Sequence, residues 1–278
     1  MSVLTRREAI VRAGLAGASQ VLDSSVANAA RQAPFDPQQK KLKIIVAGGH
    51  PGDAEYGCGG TIARFTELGH EVVLLHLNNG EWPKEKGGAP SDVRMAEAAK
   101  AAEILKARAM FAGQANGHAI LDAAHFDEFR KIVENERPDV LFTQWPIDQH
   151  RDHRAISALA FDAWLEMGKR FALYYYEVSN GEDTLQFSPT DYVDITETEP
   201  RKRATCYAHA SQTPDRYYAL QDQVALFRGI ESGYKRAEAF ILQVQSPHVN
   251  RSMDKLLFQS QFFTLGQISL RGHLRPRQ

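Results

Sequence analysis

Two short segments of this chain concentrate side chains that can bind a metal or move a proton. The first, HPGDAEYGCGG, covers residues 50–60 and carries His50, Asp53 and Glu55, with Gly52 between the first two. The second, WPIDQHRDHRA, carries two carboxylates and two imidazoles, namely Asp148, His150, Asp152 and His153. Imidazole and carboxylate groups are common zinc ligands, and catalytic zinc sites keep one position open for water.

Each segment follows a predicted buried strand. Residues 42–47 (LKIIVA) and 138–144 (PDVLFTQ) are short apolar runs of the kind that form buried strands. In open α/β sheets, ligands bind beyond the carboxyl ends of the strands. If both strands are central, the two clusters lie on the same rim of the sheet. Spacing alone leaves a metal site and two ordinary polar loops both open.

The rest of the chain alternates strand and helix patterns. Apolar strand-like runs are predicted at residues 71–77, 109–113 and 171–178, and helical patterns lie between them. This alternation is typical of βαβ units with a mostly parallel sheet. The glycines of GCGGTI do not form a dinucleotide fingerprint, because position 62 is isoleucine where the third glycine would stand. We therefore expect these glycines to allow close helix–strand packing.

The N-terminal segment differs from the rest in pattern. Arg6-Arg7 precedes a weakly apolar stretch of small residues, and Ala27-Asn28-Ala29 matches a signal-cleavage pattern. The paired arginines resemble a twin-arginine export signal, which predicts a periplasmic or extracellular protein. A cytoplasmic protein with an N-terminal extension is the alternative. The predicted organisation is an export signal at 1–29, a linker at 30–40 and a single domain at 41–278.

Composition limits the classes of partner. The formal net charge of −1 at pH 7 provides no overall field that would attract nucleic acid or an acidic membrane. No apolar run approaches the roughly 18 residues that a membrane-spanning helix needs. Cys58 and Cys206 provide neither a cysteine-type metal cluster nor a disulfide framework. A small-molecule partner is expected, and the oligomeric state stays open.

Taken together, GGHPGDAEYGCGGTIARF and HRDHRA resemble the two metal motifs of the PIG-L (LmbE-like) family of zinc-dependent N-acetylglucosaminyl deacetylases. The family motifs are His-Pro-Asp-Asp before a glycine-containing helix and His-x-Asp-His after a strand. Weaker similarities in YVDIT, KRATCYAHASQ and RAEAF extend the resemblance over about residues 42–245. The resemblance implies an α/β protein with a Rossmann-like, mostly parallel sheet and helices on both faces.

The resemblance also implies an activity and a set of roles. The chain would be a zinc-dependent hydrolase that removes an N-acetyl or other N-acyl group from an amino-sugar-like substrate. His50, Asp53 and His153 would be the zinc ligands. His150 would stabilise the oxyanion or protonate the leaving amine, and Asp152 would orient His150. An amide is a poor electrophile and water a poor nucleophile, and zinc assists on both sides.

Gly52 departs from the family motif, because the aspartate that serves as general base in the family is absent there. Three interpretations stay open. Another carboxylate, Glu55 or Asp148, acts as the base; the zinc site works slowly without one; or the chain is a catalytically silent zinc- and sugar-binding protein. Loss of a general base costs about 10²–10⁴-fold in rate.

Several other residues keep two interpretations. His209, in the segment HASQ, is either functional or structural. Trp82 and Trp145, in the predicted rim loops, either stack on a sugar or pack within their loops. Arg94 and Glu97 are one helix turn apart, which predicts an exposed ion pair.

Overall fold

The computed structural model describes residues 41–178 and 183–247. The predicted export signal at 1–29 and linker at 30–40 lie outside the described residues, and so do residues 248–278 of the predicted domain. Among the described helices, none is both long enough and apolar enough to cross a membrane.

Strands and helices alternate along the described chain as the sequence pattern predicts. The strands are β1 (Lys43–Gly48), β2 (Glu71–Asn78), β3 (Arg108–Gln114), β4 (Val140–Gln144), β5 (Ala172–Tyr176), β6 (Asp191–Asp194) and β7 (Ala237–Leu242). The α-helices are α1 (Asp53–Glu67), α2 (Ser91–Leu105), α3 (Ala123–Glu136), α4 (Arg151–Glu166), α5 (Glu199–Tyr207) and α6 (Pro214–Ser232).

The strands form one seven-stranded sheet in the order β3-β2-β1-β4-β5-β7-β6. Strands β1 to β5 pair in parallel, whereas β7 runs antiparallel to both β5 and β6. β1 and β4 are direct neighbours and run parallel. From β1 the chain adds β2 and β3 on one side, and from β4 it adds the later strands on the other side. This switch point is where ligands bind in open α/β sheets.

The apolar core lies on both faces of the sheet. Side chains of α1, α2 and α6 pack with one set of strand residues, and those of α3 and α4 pack with the alternate set. The central strands are buried along nearly their whole length, as is usual for parallel sheets covered on both sides. The predicted fold class, an α/β protein with a Rossmann-like, mostly parallel sheet and helices on both faces, is confirmed.

Helix α1 begins earlier than the glycines of GCGGTI would suggest, so those glycines lie inside it. A Cβ atom on Gly60 would stand 2.5 Å from Ile195 Cγ2, and one on Gly57 would stand 2.4 Å from Tyr176 Cδ2. Glycine is therefore required here by close approach to neighbouring elements, as expected from the sequence. This tight packing fixes the position of α1, whose first residue is Asp53, against Tyr176 and Ile195.

Candidate metal centre

The two ionisable clusters meet because β1 and β4 are adjacent parallel strands. His50 follows β1, Asp53 is the first residue of α1, and His153 lies in the first turn of α4. The two rim loops are joined directly, since the backbone N–H of Gly49 donates to Gln144 Oε1 at 2.8 Å. The structure thus brings together side chains that are about a hundred residues apart in sequence.

Three ligand atoms converge on one point of this rim. Asp53 Oδ2 lies 3.1 Å from His50 Nδ1 and 3.2 Å from His153 Nε2, and the two nitrogens are 3.3 Å apart. Ligand atoms that sit about 2.0–2.1 Å from a tetrahedral zinc are about 3.3 Å from one another. The donor set and its spacing therefore fit a metal of that kind.

A carboxylate lies against the far nitrogen of each imidazole. His50 Nε2 hydrogen-bonds Asp152 Oδ2 at 3.2 Å, and His153 Nδ1 lies 3.0 Å from Asp148 Oδ1. Metal-binding histidines characteristically direct their second nitrogen to a carboxylate or carbonyl, which sets the tautomer and the ring orientation. This arrangement leaves His50 Nδ1 and His153 Nε2 as the lone-pair donors facing Asp53.

The Asp152 carboxylate is itself held by two donors that the sequence analysis missed. Asn78 Nδ2 donates to Asp152 Oδ2 at 3.2 Å, and the backbone N–H of Gly117 donates to the same oxygen at 2.7 Å. Asn78 is the last residue of β2, at the same rim as the two clusters. A polar residue at the end of a third strand was the signal that would have identified it.

His150 occupies a different position from the three converging atoms. It is exposed, and its ring centroid lies 4.6 Å from that of His50 and 4.7 Å from that of His153. Among the described residues, His50, His150 and His153 form a group whose ligand atoms lie within 4.8 Å of one another. The Asp152 carboxylate contacts His50 and not His150, contrary to expectation. Asp152 instead donates its backbone N–H to His150 Nδ1 at 3.2 Å.

The electrostatics of the cluster follow from burial and proximity. Burial alone would raise the pKa of Asp53, but the charges of His153 and His50 hold it well below its usual value. Burial would lower the pKa of His153, yet Asp53 and Asp148 raise it to about 10. Burial and the neighbouring imidazoles lower the pKa of His150. The cluster therefore separates into a strongly paired group and one imidazole that favours its neutral form.

Gly52 lies next to these candidate ligands in the sequence, with a φ of 111°, in the region that favours glycine. A Cβ atom there would stand 3.6 Å from Tyr56 Cε2 and 3.7 Å from His209 Cδ2, which is ordinary van der Waals contact. The space for a side chain thus exists between these two rings, although a side chain would strain the backbone.

The two carboxylates considered as substitute bases are both buried and engaged elsewhere. Glu55 is 0% exposed, and its Oε1 lies 3.0 Å from Nε2 of the equally buried His209. Burial would raise the pKa of Glu55, but the contact with His209 lowers it. Asp148 Oδ1 accepts the backbone N–H of His150 at 2.7 Å, besides its contact with His153. Each carboxylate contacts a histidine that lines the pocket described below, but neither carboxylate lines that pocket itself.

A cavity of about 470 Å³, here called the metal-centre pocket, opens over the cluster. Its wall includes the candidate ligands and two aromatic side chains, namely His50, Asp53, His150, His153, Trp82 and Tyr217. Among the described residues that line it, Asp53 is the only one with a carboxylate. Trp82 is 44% exposed, and Lys86 Nζ lies over its ring, 5.3 Å from the centroid. Trp145 is buried and packs edge-on against Phe187, so the loop-packing interpretation holds for it.

Arg94 was expected on an exposed helix face, and that prediction is wrong. Its side chain is 3% exposed and lines the metal-centre pocket. Arg94 Nη2 donates to Pro51 O at 2.8 Å, and its Nε donates to Gly80 O at 3.1 Å. Its partner Glu97 accepts the N–H and the hydroxyl of Ser211. The pair ties the loop after β2 and the segment after α5 to the loop that carries His50.

Comparison with known proteins gives a family match and a similar curated protein. Residues 45–164 match the family model described as PIG-L, GlcNAc-PI de-N-acetylase. The chain is 27% identical over 231 residues to a diacetylchitobiose deacetylase of Thermococcus kodakarensis, covering 73% of this chain and 84% of that protein.

Two solved structures show the same fold. The conserved protein TT1542 of Thermus thermophilus is 28% identical, with a TM-score of 0.65 over 74% of this chain and 97% of that one. An N,N'-diacetylchitobiose deacetylase of Pyrococcus horikoshii is 19% identical, with a TM-score of 0.63 over 87% and 94% of the respective chains. The motifs of both rim loops lie inside residues 45–164, the part of this chain that matches the PIG-L family model.

Proposed function

We propose that this protein is a zinc-dependent N-deacetylase that hydrolyses the N-acetyl group of an amino-sugar substrate. The observation that carries the proposal is the convergence of Asp53, His50 and His153, whose ligand atoms lie 3.1–3.3 Å apart. The relative from Thermococcus kodakarensis, named as a diacetylchitobiose deacetylase, supports the reaction class and the substrate class.

Zinc held by these three side chains would act as a Lewis acid toward the amide carbonyl and toward water. The protein would keep the two imidazoles in their metal-binding tautomers through Asp152 and Asp148. Two neutral imidazoles and one carboxylate would leave the centre with net positive charge. The supporting carboxylates compensate part of that charge and fix the ring orientations.

His150 would be the proton donor of the reaction. Its Nδ1 accepts the backbone N–H of Asp152, so the proton of the neutral ring is on Nε2. An N–H at that position can stabilise negative charge on the carbonyl oxygen and then protonate the departing amine as the C–N bond breaks. His150 lines the metal-centre pocket, where such a contact is possible.

Among the described residues that line the pocket, no carboxylate other than that of the candidate ligand Asp53 could replace the side chain that Gly52 lacks. Glu55 and Asp148 remain candidates only through the imidazoles that they contact, His209 and His153. A reaction without a positioned base would be slower by about 10²–10⁴-fold than one with it. We therefore propose that the protein hydrolyses its substrate slowly, because position 52 has no side chain to act as the base.

The pocket suits a small polar ligand with an apolar face. Its volume of about 470 Å³ lies within the usual range for small-molecule sites, about 300–1,000 Å³. The exposed ring of Trp82 offers a stacking surface, and the amides of Asn116 and Gln212 offer donors and acceptors for hydroxyl groups. These features fit an amino sugar bound with its N-acetyl group toward the metal centre.

The test is release of free amine from N-acetylglucosamine and N,N'-diacetylchitobiose by the zinc-loaded protein. Turnover that disappears in His153→Ala supports the proposal. A folded, zinc-loaded protein that cleaves neither sugar but binds them in calorimetry would support the alternative, a catalytically silent zinc- and sugar-binding protein. Gly52 is the observation that favours that alternative.

We further propose that the protein is exported, on the basis of Arg6-Arg7 and Ala27-Asn28-Ala29. A mature N-terminus near Ala30 in a native-like host would support export. An intact N-terminus on cytoplasmic protein would contradict it.

A further inference from the structure

A second cavity, here called the α4 groove, lies along helix α4. Its volume is about 720 Å³, and it shares no lining residue with the metal-centre pocket. Its lining is mainly apolar and includes Leu121, Pro146, Ala158 and Phe161. A cavity of this size can hold several apolar side chains.

Large apolar side chains are exposed in the segments that form this groove. Leu121, on its wall, is 46% exposed, and the neighbouring Ile120 is 51% exposed. Ile147, next to the lining residue Pro146, is 63% exposed. Exposed apolar side chains around an apolar groove favour a site that another segment or molecule covers.

The chain itself leaves the sheet at this groove. Strand β7 ends at Leu242, and the next residue, Gln243, lines the groove and accepts the hydroxyl hydrogen of Tyr175 at 3.0 Å. Three residues later, Ser246 Oγ accepts the backbone N–H of Leu173 at 3.1 Å. The chain after β7 is therefore held beside β5 as far as Ser246, one residue before Pro247, where the described residues end.

The sequence that follows is rich in apolar residues. Half of the 18 residues in 253–270 (MDKLLFQSQFFTLGQISL) are apolar, and its charged residues are Asp254 and Lys255. Residue 256 is nine positions beyond Pro247, and nine extended residues reach about 30 Å. The segment is close enough to return to a groove whose wall includes Gln243.

We propose that residues 253–270 pack into the α4 groove of their own chain. This inference does not depend on the proposed function. It has a consequence for the metal centre, because Leu121 and Gly117 lie on one loop, and the N–H of Gly117 holds Asp152. The docked segment would brace that loop and so the carboxylate that orients His50.

Disulfide trapping in the full chain tests the proposal. Leu121→Cys is combined in turn with Leu257→Cys, Phe262→Cys and Ile268→Cys, and each protein is oxidised mildly. The native Cys58 and Cys206 are free and buried, so they compete little. In the matched controls, Ile230→Cys takes the place of Leu121→Cys. At least one groove pair should form an intramolecular disulfide at least tenfold faster than the control pair with the same C-terminal cysteine. Ile230 is 80% exposed on α6, which packs on the other face of the sheet.

Equal rates for the groove and control pairs would overturn the proposal. Disulfides that form only between chains would overturn it in favour of a second copy as the occupant. A second measurement is independent of any introduced cysteine. In the triple variant Phe258→Asp, Phe262→Asp, Phe263→Asp, the amides of residues 117–121 should exchange hydrogen at least tenfold faster. Unchanged exchange in that variant would also contradict docking.

Discussion

His153 Nε2 lies 3.3 Å from His50 Nδ1, although the two residues are 103 positions apart in the sequence. Both nitrogens face the same oxygen of Asp53, at 3.2 Å and 3.1 Å. Two nitrogen lone pairs and a carboxylate oxygen at this separation repel one another unless a proton or a cation lies between them. This triangle of atoms is the basis of the predictions that concern the metal.

The first prediction is metal content. The purified protein should carry about one zinc per chain, because the three donors match a tetrahedral site that is open at one position. His50→Ala and His153→Ala should each lose most of the zinc, measured by elemental analysis after dialysis. His125→Ala, a change in the first turn of α3, should keep it. Full retention in both ligand variants would refute the assignment.

The second prediction concerns the orienting carboxylates. Asp152→Asn and Asp148→Asn should weaken zinc binding by about 10–100-fold each, because they remove the anionic partners of His50 and His153. Competition with a chromogenic chelator would measure the affinities. Asp127 is exposed on α3, so Asp127→Asn is the matched control and should bind zinc as tightly as the parent. Parental affinity in both orienting variants would contradict the arrangement.

The third prediction is a pH dependence of zinc affinity. Contacts with Asp53 and Asp148 overcome burial and raise the pKa of His153 to about 10, so the metal-free protein carries a proton there at neutral pH. Zinc binding requires the neutral ring and must displace that proton. The apparent affinity should therefore rise with pH from 6 to 9, by up to about tenfold per pH unit for each proton released.

Calorimetry in buffers of different ionisation enthalpy would count the protons that zinc displaces. The parent should release at least one proton per zinc at pH 7. Affinity that is flat from pH 6 to 9, with no proton release, would show that the ligand ring is already neutral in the metal-free protein.

The fourth prediction concerns Gly52. The space beside it lies between Tyr56 and His209, so Gly52→Asp would place a carboxylate next to the ligands. The positive φ of 111° should cost about 1–3 kcal/mol of stability in any non-glycine variant. If the parent lacks a base, turnover of the zinc-loaded Gly52→Asp protein should rise by about tenfold or more.

Gly52→Asn is the matched control, since it has the same shape and backbone strain but no basic carboxylate. Its turnover should stay at or below the parental value. If Gly52→Asp and Gly52→Asn are equally active, the absence of a base at position 52 does not limit the rate. Zinc content and thermal unfolding of both variants would be measured first.

The fifth prediction concerns the buried contact between Glu55 and His209, at 3.0 Å. His209→Ala should lower the free energy of unfolding by about 3–5 kcal/mol, because it leaves the Glu55 carboxylate buried without its partner. Glu55→Gln removes the charge while keeping a polar group near the ring, so it should cost less. Urea unfolding of the zinc-loaded variants would measure both.

Activity of Glu55→Gln separates a structural role from a catalytic one. If the contact only anchors the segment after α5, the zinc-loaded variant should keep most of the parental turnover. Loss of turnover with zinc and fold retained would show that Glu55 acts on the reaction through His209.

The architecture could be predicted from local patterns of the chain. Apolar runs such as 42–47 and 138–144 indicated buried strands, and their alternation with helical patterns indicated a parallel sheet. Because parallel strands direct their carboxyl ends to one edge, the clusters after two of them were expected on one rim. The family resemblance could also be found from the sequence, since each of its motifs is one continuous stretch of residues.

Contacts between side chains from different loops could not be predicted in this way. Asp152 was expected beside His150, its neighbour in sequence, yet its carboxylate contacts His50. Arg94 was expected at the surface, yet it is buried against the loop that carries Pro51.

The sequence by itself determined the strand–helix order, the two candidate metal-binding motifs and the glycine at position 52. Only the tertiary structure decided which carboxylate contacts which imidazole. It also decided that Glu55 and Asp148 do not line the metal-centre pocket. The physical reason is that strand order and packing set the partners of a side chain, whereas spacing in sequence constrains only the residues within one helix turn or one loop.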